Sequence, residues 1–333
     1  MRSRRAALQL LPGVVFPGFL AACGALPDGI RQRPTPWPMA MTMATASPGG
    51  SYAVYGPAWG GIVAQAARMP ISYRATSGPN ENVILVDRGT TELSMTTMGV
   101  AYEALTGSGG WTRGATLSGF RVLFPMYETP FHGLAREPIA SLADLAGARV
   151  GIGPDGGTAS LYLPAILRML GVADVDLRHG SMQDIAAALG SGALDACFVA
   201  AGTPMPAFAE ACAQLPLRVF GFDAQEASRI AAAMPELTPT VIARGTYRTL
   251  HDDLPTLGMF NFAICRTGLP DELARQIVHA VLQQQPRLLD ATPLGAQTVA
   301  GNMQRNTLLP LHPGAAAYYR QLGLRLPAAT LAG

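Results

Sequence analysis

From about residue 39 the chain repeats one unit: a short apolar run, a polar turn carrying glycine, and an alanine- and leucine-rich helical segment. MAMTMATA leads through SPGG into SYAVYGPAWGGIVAQAA, ISYRATSG leads into PNENVILVDRG, and TELSMTTM leads into GVAYEAL. Period-two and period-3.6 patterns alternate in this way when parallel strands are joined by crossover helices. Such a sheet gathers its strand-to-helix loops at the carboxyl ends of the strands, where ligands bind.

The alternation breaks at FRVLFPMYETPFHGLAR, where two β runs follow each other without a helix, and resumes at ASLADLAGARVGIG. It continues through VDLRHG, MQDIAAALGSG, LDACFVAAGTP, a helix from about Met205 to Gln214, LPLRVFGF, DAQEASRIAAAM and LTPTVIARGTY. The apolar run TLGMFNFAICR then returns the chain, and from PDELARQIVHAVL onward the pattern is helical. The expected fold class is α/β, with two α/β lobes joined by a β-strand hinge. Residues 39–125 and 250–325 build one lobe, and 126–249 the other.

The segment before this pattern reads differently. MRSRR is a basic opening, and LQLLPGVVFPGFL is an apolar stretch interrupted by Pro12 and Pro17. This is the layout of an export signal, assigned to residues 1–23, and the Pro-rich residues 24–38 read as a tether. Leu20-Ala21-Ala22-Cys23 resembles a bacterial lipobox, so the expectation is a periplasmic protein anchored to the membrane by a lipid on Cys23. A plain secretory signal with an incidental cysteine is the alternative. Cys197, Cys212 and Cys265 remain, an odd and widely spaced set that argues against a disulfide framework and a zinc site. Cys197, in DACFVA, reads as a small buried hydrophobe, with a bridge to Cys212 left open.

Composition removes several function classes. Charged residues make up only 14% of the chain against 49% hydrophobic ones, which implies a large core. A net charge of +2 with scattered arginines gives no footprint for nucleic acid. The chain contains no lysine, which excludes a P-loop lysine, a Schiff-base lysine and a lysine general base. His132, His179, His251, His279 and His312 show neither metal-ligand spacing nor a neighbouring nucleophile motif and read as structural or surface residues. No catalytic residue, metal or cofactor is expected.

GIGPDG at 151–156 nonetheless matches the G-x-G-x-x-G fingerprint of dinucleotide-binding enzymes and precedes the helical TASLYLPAILRML. An NAD-dependent oxidoreductase is therefore the alternative from another class. Two details oppose it. The motif lies well inside the fold, and Asp174 and Asp176 stand before or at the start of their strand, whereas a ribose-binding acid ends one. The loop keeps its physics, because glycines at a helix N-terminus expose N–H groups to an anion. Gly156, Gly157 and Thr158 are accordingly read as carboxylate or phosphate binders.

Other candidates cluster in loops of the same kind. Ser47, Gly50, Ser51 and Tyr52 precede the first helix, and Thr76, Asn80 and Asn82 the second; capping and turn chemistry is the bland reading of both groups. Arg74 is the first choice for a fork on a carboxylate. Thr97 ends the third strand, Tyr127 and Glu128 sit in the β crossing, and Gly202 and Thr203 follow LDACFVA.

Five blocks, in order, resemble the TAXI-type solute-binding proteins of TRAP transporters: SPGGSYAVYGPAWGGIVA, RATSGPNENVILVDRG, FPMYETPFHGLAR, SLADLAGARVGIGPDGGTA and LHPGAAAYYRQLGL. They span nearly the whole chain after the signal. The chain departs from that family at Thr96-Thr97-Met98-Gly99, where relatives often carry V-Q-S-D, and at Asp155-Gly156-Gly157-Thr158, where they carry G-S-G-T. The resemblance implies a two-lobed, type II-like periplasmic-binding-protein fold. It also implies an extracytoplasmic receptor that closes around a small carboxylate, an amino acid such as glutamate or a dicarboxylate. The receptor delivers it to the membrane permease subunits of a TRAP transporter. An ABC importer or a ligand sensor would use the same fold.

Overall fold

The computed structural model describes residues 37–234 and 236–331. Cys23, the expected export signal and most of the expected tether lie outside the described residues.

The first three strand and helix units form as their patterns require. β1 (Met41–Ala44), β2 (Ile71–Arg74) and β3 (Leu93–Thr97) alternate with α1 (Ser51–Ala67), α2 (Pro79–Asp87) and α3 (Met98–Thr106). β1 lies between β2 and β3 and runs parallel to both. After the crossing strand β4 (Phe120–Ala135) comes a second set, β5 (Arg149–Gly151), α4 (Thr158–Leu170), β6 (Asp176–Arg178), α5 (Met182–Ser191), β7 (Ala196–Ala200) and α6 (Pro206–Gln214). Here β5 is the middle strand, parallel to β6 and β7. β8 (Arg218–Phe220), α7 (Ala224–Ala233) and β9 (Thr238–Ile242) precede the returning strand β10 (Leu254–Arg266), and α8 (Asp271–Gln283), α9 (Gln285–Ala291) and α10 (Pro313–Gln321) close the fold.

The strand order β2-β1-β3-β10-β4-β7-β5-β6 sets two parallel blocks on either side of an antiparallel pair. That pair is the link between lobes. β4 is paired with β10 through Pro130 and with β7 from Phe131 onward; β10 is paired with β9 up to Gly258 and with β3 from Asn261. The apolar side chains divide at the same points. One cluster joins Tyr55, Trp59, Phe124 and Tyr127 to Phe260, Ile277 and Tyr319, from both ends of the described chain. Two others, around Phe131 with Phe198 and Phe222, and around Cys197 with Phe208 and Tyr247, are built from the intervening residues. The chain changes core between Tyr127 and Phe131 on β4 and between Met259 and Phe260 on β10.

The two β runs expected in FRVLFPMYETPFHGLAR are one strand of 16 residues. Pro125 suggests a break in the sequence, but the strand runs through it beside a shift in its register with β10, a place where a strand tolerates proline. Cys197, Cys212 and Cys265 are all buried free thiols, which closes the open question of a Cys197 to Cys212 bridge. Among the described residues no helix is long and apolar enough to cross a membrane, and no group of three or more His, Cys, Asp or Glu is placed to hold a metal.

Candidate ligand cleft

The loops at the carboxyl ends of the parallel strands of both blocks meet around a cavity of about 50 Å³, several times the ~10–15 Å³ that one water needs. Ser51 and Tyr52 open α1, Pro79 opens α2, Thr97 caps α3, Thr158 opens α4 and Met182 opens α5, and all of them line it. Five helices thus begin at one cavity. Each brings the positive end of its dipole and first-turn N–H groups that lack an intrahelical acceptor.

The five ends differ in what remains available. Thr97 Oγ1 accepts from Val100 N and Ser181 Oγ accepts from Asp184 N, so α3 and α5 are capped by their own side chains. Gln183 N of α5 also donates to the Pro48 carbonyl across the cleft at 3.2 Å. α1 and α4 are different. Their N-caps are Gly50 and Gly157, which have no side chain to offer, and both glycines line the cavity; α2 is also capped by a glycine, Gly78, but that residue lies outside the lining and Pro79 after it has no N–H. Two uncapped helix ends, one from each lobe, therefore open into the same space.

The walls are hydroxyl-rich and uncharged. Ser47, Ser51, Tyr52, Ser77, Thr97, Thr129 and Thr158 contribute hydroxyls, and among the described residues that line the cavity none carries an ionisable carboxyl, amine, guanidine or imidazole group. Below them lies Asn261 of β10. It accepts from Tyr52 Oη at 2.5 Å and donates to the Tyr127 carbonyl at 2.6 Å and to Thr129 Oγ1 at 2.5 Å. Burial raises the Tyr52 pKa well above the usual phenol value, which keeps the proton it donates to Asn261.

The lobes are in contact. Ser51 Oγ donates to the Gly202 carbonyl at 2.8 Å, and Ala207 N donates to the Gly49 carbonyl at 3.4 Å. A Cβ on Gly156 would lie 2.4 Å from Asn80 Nδ2, and one on Gly78 would lie 3.5 Å from Gly157 Cα. Gly156, the last glycine of GIGPDG, and Gly157 after it are thus the surface on which the α2 loop of the opposite lobe rests. Gly156 N donates to Ser160 Oγ at 2.9 Å and Gly157 N to the Pro154 carbonyl at 2.9 Å. The expectation that both N–H groups face a ligand is corrected: the loop uses them internally, and the first open N–H is that of Thr158. The ribose acid does not materialise either. Asp176 opens β6 opposite Arg149, at the end of the strand away from this loop, and pairs with Arg178 at 2.6 Å.

Of the residues singled out from the sequence, Ser47, Gly50, Ser51, Tyr52, Thr97, Gly157, Thr158 and Gly202 line the cavity. Gly156 and Asn80 meet beside it. Thr76 and Asn82 are buried scaffold: Thr76 Oγ1 lies 2.7 Å from Asn82 Oδ1, and Asn82 Nδ2 donates to the carbonyls of Thr45 and Met95, tying β1 to β3. Arg74 points to the surface, 4.0 Å from Glu81, which is itself held by Ser77. Tyr127 is wholly buried against Tyr55 and Tyr52, behind Gly202 rather than in the lining. Thr203 follows Gly202 outside the lining. Glu128 accepts from Thr240 Oγ1 at 2.7 Å and pairs with Arg305 at 3.0 Å, bracing the crossing strands. Sequence reading did not pick out Thr129, Met182 and Asn261. Only Asn261 left a signal, a lone amide inside an apolar run.

The profile of the NMT1-like family matches residues 43–323. Among solved structures, the substrate-binding protein of an amino acid ABC transporter is similar at 10% identity over 76% of this chain and 96% of its own, with a TM-score of 0.46. DctP7 of Bordetella pertussis, an extracytoplasmic solute receptor that binds pyroglutamic acid, is similar at 13% identity over 87% of each chain, with a TM-score of 0.46. A periplasmic transporter is similar at 13% identity over 85% of this chain and 92% of its own, with a TM-score of 0.48. The ligands of these proteins are their own.

Proposed function

The chain belongs to the NMT1-like family, and with that as premise we propose that it is an extracytoplasmic solute-binding receptor of the TAXI type. It captures a small carboxylate between its lobes and presents it to the permease subunits of a TRAP-type secondary transporter. The observation that carries this reading is the pair of glycine-capped, otherwise uncapped helix ends, α1 from one lobe and α4 from the other, that open into one buried cavity. An anion between them satisfies N–H groups that would otherwise face each other unpaired, and it favours the closed cleft because only the closed form brings both ends to it. Lysine is not needed for this, in keeping with its absence from the chain. The two lobes are the bodies that move, with β4 and β10 flexing where the chain changes core, between Tyr127 and Phe131 and between Met259 and Phe260, beyond the bounds expected at 125 and 250. The export signal and a lipid on Cys23 would hold the receptor at the membrane, and Cys23→Ala is expected to release it to the soluble periplasmic fraction.

Small-angle scattering on the full chain tests the reading. Saturation with a bound carboxylate is expected to reduce the radius of gyration and to raise Tm. No response to any carboxylate, together with stabilisation by NAD, would return GIGPDG to the dinucleotide reading.

A further inference from the structure

Resting on the receptor reading above, we infer that the solute is a short monocarboxylate with neither an ammonium group nor a second carboxylate. The first ground is the number of open anion sites. Of the five helix ends at the cavity, α3 and α5 are closed by Thr97 and Ser181; α2 is also glycine-capped, but Gly78 lies outside the lining, Pro79 has no N–H and Glu81 N donates to Asn80 Oδ1 at 2.8 Å. Only α1 and α4 remain with N-caps that make no side-chain bond and that themselves line the cavity. They face one space and serve one anionic group.

The second ground is independent of the helices. Ser47, 8% exposed, and Thr158, 5% exposed, line the cavity from opposite lobes, and neither side-chain hydroxyl bonds any protein atom. Both oxygens open to the cavity rather than being sealed in the protein, so these two hydroxyls are free to donate to the same guest.

The third ground is what the walls lack. An α-ammonium group needs an acidic or multiply accepting partner, and among the described lining residues there is no carboxylate. Glu81, which touches the lining residue Ser77, accepts from Ser77 N and Oγ and lies outside the lining. The Gly202 carbonyl already accepts from Ser51. Helix N-termini, moreover, repel a cation. A second carboxylate fares no better, because Arg74 lies outside the lining beside Glu81. The remaining wall is Ala46, Pro79, Pro154, Met182, Ala200 and Ala201, which suits a short apolar or hydroxylated tail. The amino acid and dicarboxylate expected from the family resemblance are therefore not the solutes this cavity fits.

Four probes on one three-carbon frame test the inference by calorimetry and thermal shift on the full chain: lactate, alanine, malonate and lactamide. Lactate is expected to bind, with each of the other three weaker by about 100-fold or more: lactamide through the loss of charge-assisted hydrogen bonds, alanine and malonate through the burial of a second charge without a partner. Ser47→Ala and Thr158→Ala should each weaken lactate by about tenfold. Alanine or malonate within tenfold of lactate would overturn the inference and leave the receptor reading standing. The same holds if longer amino acids or dicarboxylates bind while lactate, propionate and butyrate do not. If no carboxylate of any kind binds, or lactamide equals lactate, both readings fall.

Discussion

Ser51 Oγ donates to the Gly202 carbonyl at 2.8 Å, joining residues 151 positions apart on the two sides of the cleft. The bond exists only when the lobes meet. Ser51→Ala removes it and leaves a buried carbonyl without this donor, so the open form gains by about 0.5–1.5 kcal/mol. The expected result is a roughly three- to tenfold weaker apparent affinity, with a larger radius of gyration at subsaturating ligand. Unchanged scattering and affinity would mean that closure does not depend on this contact.

Asn261 holds Tyr52, Tyr127 and Thr129 together under the cavity floor. Asn261→Leu strands these buried partners and is expected to destabilise the protein by about 2–5 kcal/mol. Denaturant titration reads this directly. A loss below about 0.5 kcal/mol would assign the network no structural weight.

Gly202 has no room for a side chain, since a Cβ there would lie 2.3 Å from the Tyr127 ring. That ring is locked edge-on against Tyr55 at 4.9 Å, so it cannot step aside. Gly202→Ala should cost about 1–3 kcal/mol through overpacking. Pairing it with Tyr127→Leu should recover part of the loss, a coupling measured by a double-mutant cycle.

His132 sets an acid limit on stability. It is fully buried, and burial lowers its pKa to about 4. The Pro130 carbonyl can only accept, so Nδ1 carries the proton; Nε2 then accepts from Tyr247 Oη at 2.8 Å, which in turn accepts from Met205 N at 3.0 Å. The unfolded chain protonates near pH 6.5 and the folded one does not, so stability is full above about pH 6.5 and falls as pH drops toward 4. The loss amounts to roughly 3 kcal/mol. In His132→Gln this part of the pH profile should flatten; an unchanged slope would place the acid sensitivity elsewhere.

The strand and helix units, the β crossing and the glycine loops were legible because periodicity and turn chemistry are local. The loops that would line a cavity followed from strand direction alone, which is how Ser47, Ser51, Thr97 and Thr158 were found. What could not be read was how loops use their own groups. Whether Gly156 N meets a ligand or Ser160 depends on the turn geometry of 153–157, and whether Arg74 enters the cleft depends on where α2 places Glu81. Asn261 and Thr129 face the cavity floor only because β10 and β4 pair in one register with a bulge between Phe260 and Phe262. Side chains brought together across 132 positions leave no mark in either stretch of sequence.

In the proposed receptor the uncapped ends of α1 and α4 hold the solute's carboxylate without help from a charged side chain. A crystal structure of the protein with the tightest-binding monocarboxylate tests it most directly. Carboxylate oxygens are expected within hydrogen-bond distance of first-turn N–H groups of both helices, with the Ser47 and Thr158 hydroxyls completing the shell. A carboxylate paired instead with a guanidinium such as that of Arg74, or one bound outside this cavity, would contradict it.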